Sequence, residues 1–170
     1  MSKKHQNDSA ASASTPATEQ LIEAGVSFKP YEYEHSADHM DEGYGVEGAE
    51  KLGVDEDRTF KTLMADTGNG CVIGVVPVSG HMDMKKLAAA VGAKKVSMAS
   101  PQLAQKESGY VVGGISPLGQ RTKHVTVLDE SAMRFDEILV SGGKRGFSVG
   151  VDPHELARVV DAKIADIRAR

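Results

Sequence analysis

Two apolar, strand-like runs, residues 59–65 and 71–78, are separated by a turn built on Gly68, Asn69 and Gly70. That connection supplies the positive φ angles a tight reversal between antiparallel strands requires. The pair reads as a β-hairpin, which points away from a regular alternation of parallel strands and crossover helices. Around it the chain offers further strands at 28–34, 110–112, 124–128, 137–141 and 147–151. In the first of these Tyr31 and Tyr33 face one way and Glu32 and Glu34 the other. Helix signals fall between. One helix starts at Thr15 and Pro16, turns Leu21 and Ile22 inward and stops at Gly25. A short one around 46–52 ends at Gly53. Met84, Leu87, Ala88 and Val91 mark another, closed by Gly92. Ser100 and Pro101 open one that ends at Gly109. The last begins at Asp152, with Pro153 in its first turn and Glu155 as capping-box partner, and buries Leu156, Val159, Val160, Ile164 and Ile167. About seven strands and five helices in this order predict an α+β fold, a mixed, largely antiparallel sheet curled toward a barrel, with helices outside.

A chain of 170 residues with 40% hydrophobic side chains suits one core. The expected organisation is a single domain over 15–170 behind a disordered polar tail, 1–14. The tail has two lysines but no apolar segment behind them, so it does not read as a secretory signal. No run has membrane-spanning length. The lone cysteine, Cys71, precludes an internal disulfide and suits a reducing cytoplasm. Its place among Val72 and Ile73 reads as a buried, inert thiol.

The net charge of −4 is unevenly spread. Ten carboxylates stand against Lys51 alone between residues 30 and 57, a window of −9, which leaves +5 elsewhere. Residues 58–150 hold twelve Lys or Arg against seven Asp or Glu, with Lys85, Lys86, Lys94, Lys95, Arg121, Lys123, Lys144 and Arg145 near the glycine-rich segments. Such a stripe can orient a nucleic-acid end. Too few aromatics accompany it for a long single-strand binder.

Three segments carry the chemistry. Gly113, Gly114, Ile115, Ser116 and Pro117 form a backbone-rich loop, where amides unobstructed by Cβ atoms can hold a phosphate or a developing oxyanion. Ser141, Gly142, Gly143, Lys144 and Arg145 combine a hydroxyl, two glycines and two cations. Phe60, Lys61 and Thr62 place a lysine on a mainly apolar strand face, so its ammonium either reaches a cleft or snorkels to solvent. Each segment taken alone also reads as an ordinary turn or surface feature. His35 and His39 with Asp38 and Asp41 have metal-ligand residue types but no helix to fix their spacing, so neither a metal nor a cofactor is expected. No Ser-His-Asp arrangement stands out. Phosphate-loop and dinucleotide fingerprints are lacking.

In this order and spacing, with Thr15, Pro16 and Tyr33 also in place, the segments closely resemble the YbaK-type aminoacyl-tRNA deacylases, relatives of the editing domain inserted in bacterial prolyl-tRNA synthetases. The resemblance runs from about residue 15 to 168. It implies a free-standing editing enzyme that removes cysteine mischarged onto proline tRNA, with cysteine on its own tRNA as a further candidate substrate, and works beside prolyl-tRNA synthetase. It implies Lys61, Gly113, Gly114 and Ser141 as catalytic residues. Tyr33, Thr62, Ile115, Ser116, Pro117, Gly142, Gly143, Lys144 and Arg145 would hold the substrate. In that scheme the substrate's own thiolate attacks its ester while the protein supplies positioning and electrostatics. The chain departs from the family at Ser148, where an aspartate is frequent, and across 36–44. The alternatives are a deacylase for another small residue such as alanine, or a non-catalytic module that binds the tRNA end.

Overall fold

The structure, a computed structural model, describes residues 14–33, 49 and 52–170. The polar tail before Ser14, the Glu34 end of the first strand, the His35 and His39 set and most of the helix expected around 46–52 lie outside these residues.

Four eight-residue helices begin where the sequence supplies a cap. They are α1 (Pro16–Glu23), α2 (Met84–Val91), α3 (Pro101–Ser108) and α4 (Pro153–Val160). Thr15, Asp83, Ser100 and Asp152 each accept a first-turn N–H on the side chain, satisfying a donor that has no partner inside the helix. Three expectations fail locally. Ile22 is 54% exposed while Leu21 is fully buried. Neighbouring helix positions diverge by a little over a quarter turn, so a short helix cannot bury both. Glu155 closes no capping box, because its carboxylate turns to Arg158 at 3.0 Å. Ile164, 42% exposed, is not on that helix at all, since the chain leaves it at Asp161 through a left-handed residue with φ 54.

The strands are β1 (Lys29–Glu32), β2 (Phe60–Asp66), β3 (Cys71–Pro77), β4 (Ser97–Met98), β5 (Thr126–Asp129), β6 (Ile138–Lys144), β7 (Phe147–Val151) and β8 (Lys163–Ala165). They form an antiparallel sheet, β1-β7-β6, and a mixed sheet, β4-β2-β3-β5-β8, in which β3, β5 and β8 run parallel. A parallel bridge between Thr59 and Leu139 joins the two, so the strands make one curled surface. The hairpin expected between β2 and β3 is present, with register from Phe60 opposite Pro77 to Asp66 opposite Cys71. Residues 110–112 are not a strand. Tyr110 is buried there and its hydroxyl donates to Leu118 O at 2.6 Å, closing the chain into a loop.

Every residue of β3 is buried, since both of its faces are covered. One cluster, with Phe60, Met64, Ile73, Val75, Val140 and Phe147, fills the space between the sheets. A smaller one, with Ala65, Val72, Val76, Leu87 and Val127, lies under α2. The buried Cys71 thiol belongs to the first cluster and is a packing residue. Burial, then Glu107 and Asp66, push it above the ordinary thiol value. No helix among the described residues is long and apolar enough to cross a membrane.

Candidate active site

The site lies where β2 loses its outer neighbour. Met64 accepts from Ala99 N–H at 3.0 Å, and its β3 partner Ile73 donates the other way, to Val125 O at 2.8 Å. Met64 and Ile73 therefore face each other as a non-hydrogen-bonded pair. Two residues earlier, Thr62 turns its own N–H and C=O to the same outer side. There β2 has parted from β6 and has not yet reached β4. The gap opens into a cavity of about 480 Å³.

Its walls come from four places. Thr59 and residues 60–64 of β2 form one, with Val78 and His81 beyond β3. Met98, Ala99, Pro101 and Ala104, running into α3, form the second. The glycine-rich loop contributes Val112, Gly113 and Ile115, and the β6–β7 hairpin contributes Ser141, Lys144, Phe147 and Ser148 next to Tyr33. Three segments spread over 80 residues of sequence thus share one cavity.

Lys61 is half-buried in the wall and makes no ion pair among the described residues. Burial lowers its pKa below the ordinary lysine value. Thr62 Oγ1 is buried with no hydrogen-bond partner among the described residues. A buried hydroxyl without a partner is costly, so it marks a place where a bound polar group would be favoured. Ser141 accepts from Gly143 N–H at 3.2 Å and keeps its own proton for a ligand. It stands opposite Ser148 in the β6–β7 register, so two hydroxyls enter the cavity side by side. Lys144 stands at the lip with its ammonium 5.6 Å from the Phe147 ring centre. Tyr33 donates its backbone N–H to Gly146 O at 2.9 Å, which ties the end of β1 to the hairpin turn.

In the glycine-rich loop the amides are divided. Gly114 N–H donates to Val111 O at 2.9 Å, Leu118 N–H to Ser116 Oγ at 3.2 Å and Gly119 N–H to Gln20 Oε1 at 2.7 Å. Gly113 and Ile115 line the cavity and donate to nothing among the described residues. Of the two amides expected as oxyanion donors, Gly113 N–H is open to the cavity while Gly114 N–H is taken by Val111 O, and Ile115 N–H is open beside Gly113. Gly114 has a different task. A Cβ there would meet Lys144 Cα at 2.8 Å and Lys144 C at 2.9 Å, so its missing side chain lets the two glycine segments touch backbone to backbone.

Ser116, Pro117, Gly142, Gly143 and Arg145 do not line the cavity. Ser116 is fully buried, and its carbonyl accepts from Gln120 Nε2 at 2.6 Å. The Gly142 carbonyl accepts from the Thr15 hydroxyl at 2.5 Å, while Gly143 packs against Tyr110 and Thr15. Arg145 Nε donates to Val112 O at 2.8 Å, bracing one segment on the other. These residues shape the site from behind. The sequence reading did not find the wall made by α3, nor His81 and Met98, because nothing local announces that a helix will pack across a distant strand edge. Ser148 had drawn notice only as a departure. No group of three or more metal-type side chains exists among the described residues.

A family model, the aminoacyl-tRNA editing domain, matches residues 44–159. A protein of Enterococcus faecalis named as a Cys-tRNA(Pro)/Cys-tRNA(Cys) deacylase, EbsC, is 35% identical over 158 residues, 92% of this chain and 94% of that one. The multifunctional Ser/Thr-tRNA deacylase ProXp-y of Escherichia coli is 29% identical over 105 residues, 59% and 63% of the two chains. Among solved structures, one described as a trans-editing enzyme for prolyl-tRNA synthetase superposes with a TM-score of 0.80 at 23% identity, covering 93% of this chain and 98% of that one.

Proposed function

This chain belongs to the aminoacyl-tRNA editing domain family and is a trans-editing aminoacyl-tRNA deacylase; from that premise we propose that it removes cysteine mischarged onto proline tRNA, beside prolyl-tRNA synthetase. The observation that carries the reading is the meeting of Lys61, the free Gly113 and Ile115 amides and the Ser141 hydroxyl on one cavity. The 3′-terminal ribose and its ester enter over Lys61 and Ser141. As the ester carbonyl becomes tetrahedral, its oxygen gains charge within reach of the two amides. One such donor contributes about 3–4 kcal/mol to the transition state.

Neither the Thr62 nor the Ser141 hydroxyl is hydrogen-bonded to a histidine or carboxylate among the described residues, so neither is activated as the nucleophile for this step. The substrate's own thiol fills the role. Its sulfur forms a bond to the ester carbon, the C–O bond to the ribose breaks, and the thiol proton ends on the departing ribose oxygen. Water then opens the released thiolactone to cysteine. The Lys61 and Lys144 ammonium groups favour the thiolate that attacks. A second reading, release of serine, is favoured by the unpartnered Thr62 hydroxyl, which suits a hydroxylated side chain.

A deacylation panel decides. Cys-tRNA(Pro) is expected to be hydrolysed and Pro-tRNA(Pro) left intact, with Ser-tRNA(Pro) at least about tenfold slower. Equal rates for cysteine and serine would remove the thiol from the mechanism. Lys61→Ala should lose most of the activity with an unchanged circular dichroism spectrum.

A further inference from the structure

The cations of the described residues divide by what they face. Arg58, Lys86, Arg158 and Arg168 meet carboxylates, Glu137 at 2.8 Å, Asp166 at 3.0 Å, Glu155 at 3.0 Å and Asp129 at 3.4 Å. Lys106, Arg121 and Lys123 meet none among the described residues. With Lys144 and Arg145 they form one run leading out of the cavity. Arg145 is tied to Val112 O, and Val112 N–H donates to Gln105 Oε1 on α3 at 3.0 Å. The next residue, Lys106, offers its carbonyl to Arg121 Nη1 at 3.3 Å, and Lys123 follows two positions on. The first half of α3 lines the cavity, so the helix places Lys106 about 7.5 Å along its axis from Pro101. The one carboxylate on that helix, Glu107, is turned away, with Oε1 3.6 Å from the buried His124 Nε2. The outward face keeps a single sign.

Resting on the deacylase reading, we propose that this run is the track on which the acceptor strand of tRNA lies, with Lys106, Arg121 and Lys123 meeting the phosphates that precede the terminal nucleotide. Arg121 commits one of its five N–H donors to the Lys106 carbonyl, a bond that aims the guanidinium while leaving the other donors outward. Contacts of this kind read no sequence. They set register and orientation, which delivery of a 3′ end into a cavity requires. A second basic pair, Lys94 and Lys95, serves as a built-in comparison. It borders a separate hollow with Thr67 and Asn69, beyond the far end of β2, about 20 Å of strand from Phe60.

Charge reversal tests the track. Lys106→Glu with Lys123→Glu changes two exposed side chains; adding Arg121→Glu extends it. Uncharged tRNA binding is titrated against salt, and deacylation is compared on full aminoacyl-tRNA and on the same amino acid esterified to adenosine alone. The double reversal is expected to weaken tRNA binding about tenfold or more at low salt and to flatten the log–log salt slope by about 2. KM for the full tRNA should rise while turnover of the aminoacyl-adenosine stays level. Lys94→Glu with Lys95→Glu should change none of these. Coincident tRNA isotherms for wild type and the Lys106 and Lys123 reversal would overturn the proposal, as would an equal loss on both substrates or a loss confined to the Lys94 and Lys95 variant. A wild-type protein that deacylates neither substrate would refute the deacylase reading, and the binding titration would still decide the track.

Discussion

The two glycine-bearing segments meet at one cavity but are built on opposite plans. The loop over 109–120 is held by side chains at several of its backbone polar groups. Tyr110 bonds Leu118 O, Gln105 accepts from Val112, Gln120 donates to Ser116 O and Gln20 accepts from Gly119. It shows the cavity mainly backbone. The turn over 141–146 is a hairpin end whose backbone is tied at Gly142 and Gly146 while the Lys144 and Arg145 side chains stay exposed. An amide has no reach of its own, so it works only if its whole loop is immobile. A lysine carries four rotatable carbons and needs only an anchored Cα.

The largest expected effect comes from forcing the two segments apart. Gly114→Ala drives a methyl group against the Lys144 backbone. Thermal melting should show a loss of roughly 1–3 kcal/mol, and kcat/KM should fall on the order of a hundredfold, as a shift near 1 Å at a reacting centre can cause. Retained activity would mean the backbone contact is not what sets the geometry. Next comes the side-chain partner. Ser141→Ala removes a hydroxyl on the cavity wall. It should lower kcat/KM about tenfold and shift stability by less than about 1.5 kcal/mol. A loss as large as that of Gly114→Ala would erase the distinction between the segments. The smallest effect on activity is sought in Tyr110→Phe, which lies off the cavity lining and acts on stability by leaving the buried Leu118 carbonyl without its donor. About 1–3 kcal/mol is expected, a fall of several degrees in Tm for a domain of this size. If Tm does not move, the loop is not pinned by Tyr110.

The hairpin, the helix starts and the glycine stops were legible because their causes are local. Ser100 caps and Pro101 fits the first turn, and Gly109 ends the helix in a left-handed conformation, whatever lies beyond. The position of Lys61 in a cavity was legible in part, since a lysine on an apolar face needs an outlet. The remaining walls were not. α3 reaches the open edge of β2 only through tertiary packing, and β8 pairs with β5 between residues 36 apart in sequence. Ser116 and Pro117 stood out as loop residues, but their burial behind the cavity follows from how Gln120 and Tyr110 close the loop. That the Gly114 amide is occupied turns on one bond, Gly114 N–H to Val111 O, that no spacing rule reveals.

Both segments are also fastened to the first helix. The hydroxyl that caps α1 donates to Gly142 O, 127 residues later, and Gln20 receives the Gly119 amide, 99 residues later. An early segment of the domain is thus completed only by much later ones. At about 5–20 residues per second, a nascent chain spends several seconds with the α1 segment made and nothing to clamp. Throughout that interval the cavity has no finished wall to offer the charged tRNAs crowded around the ribosome that is making it.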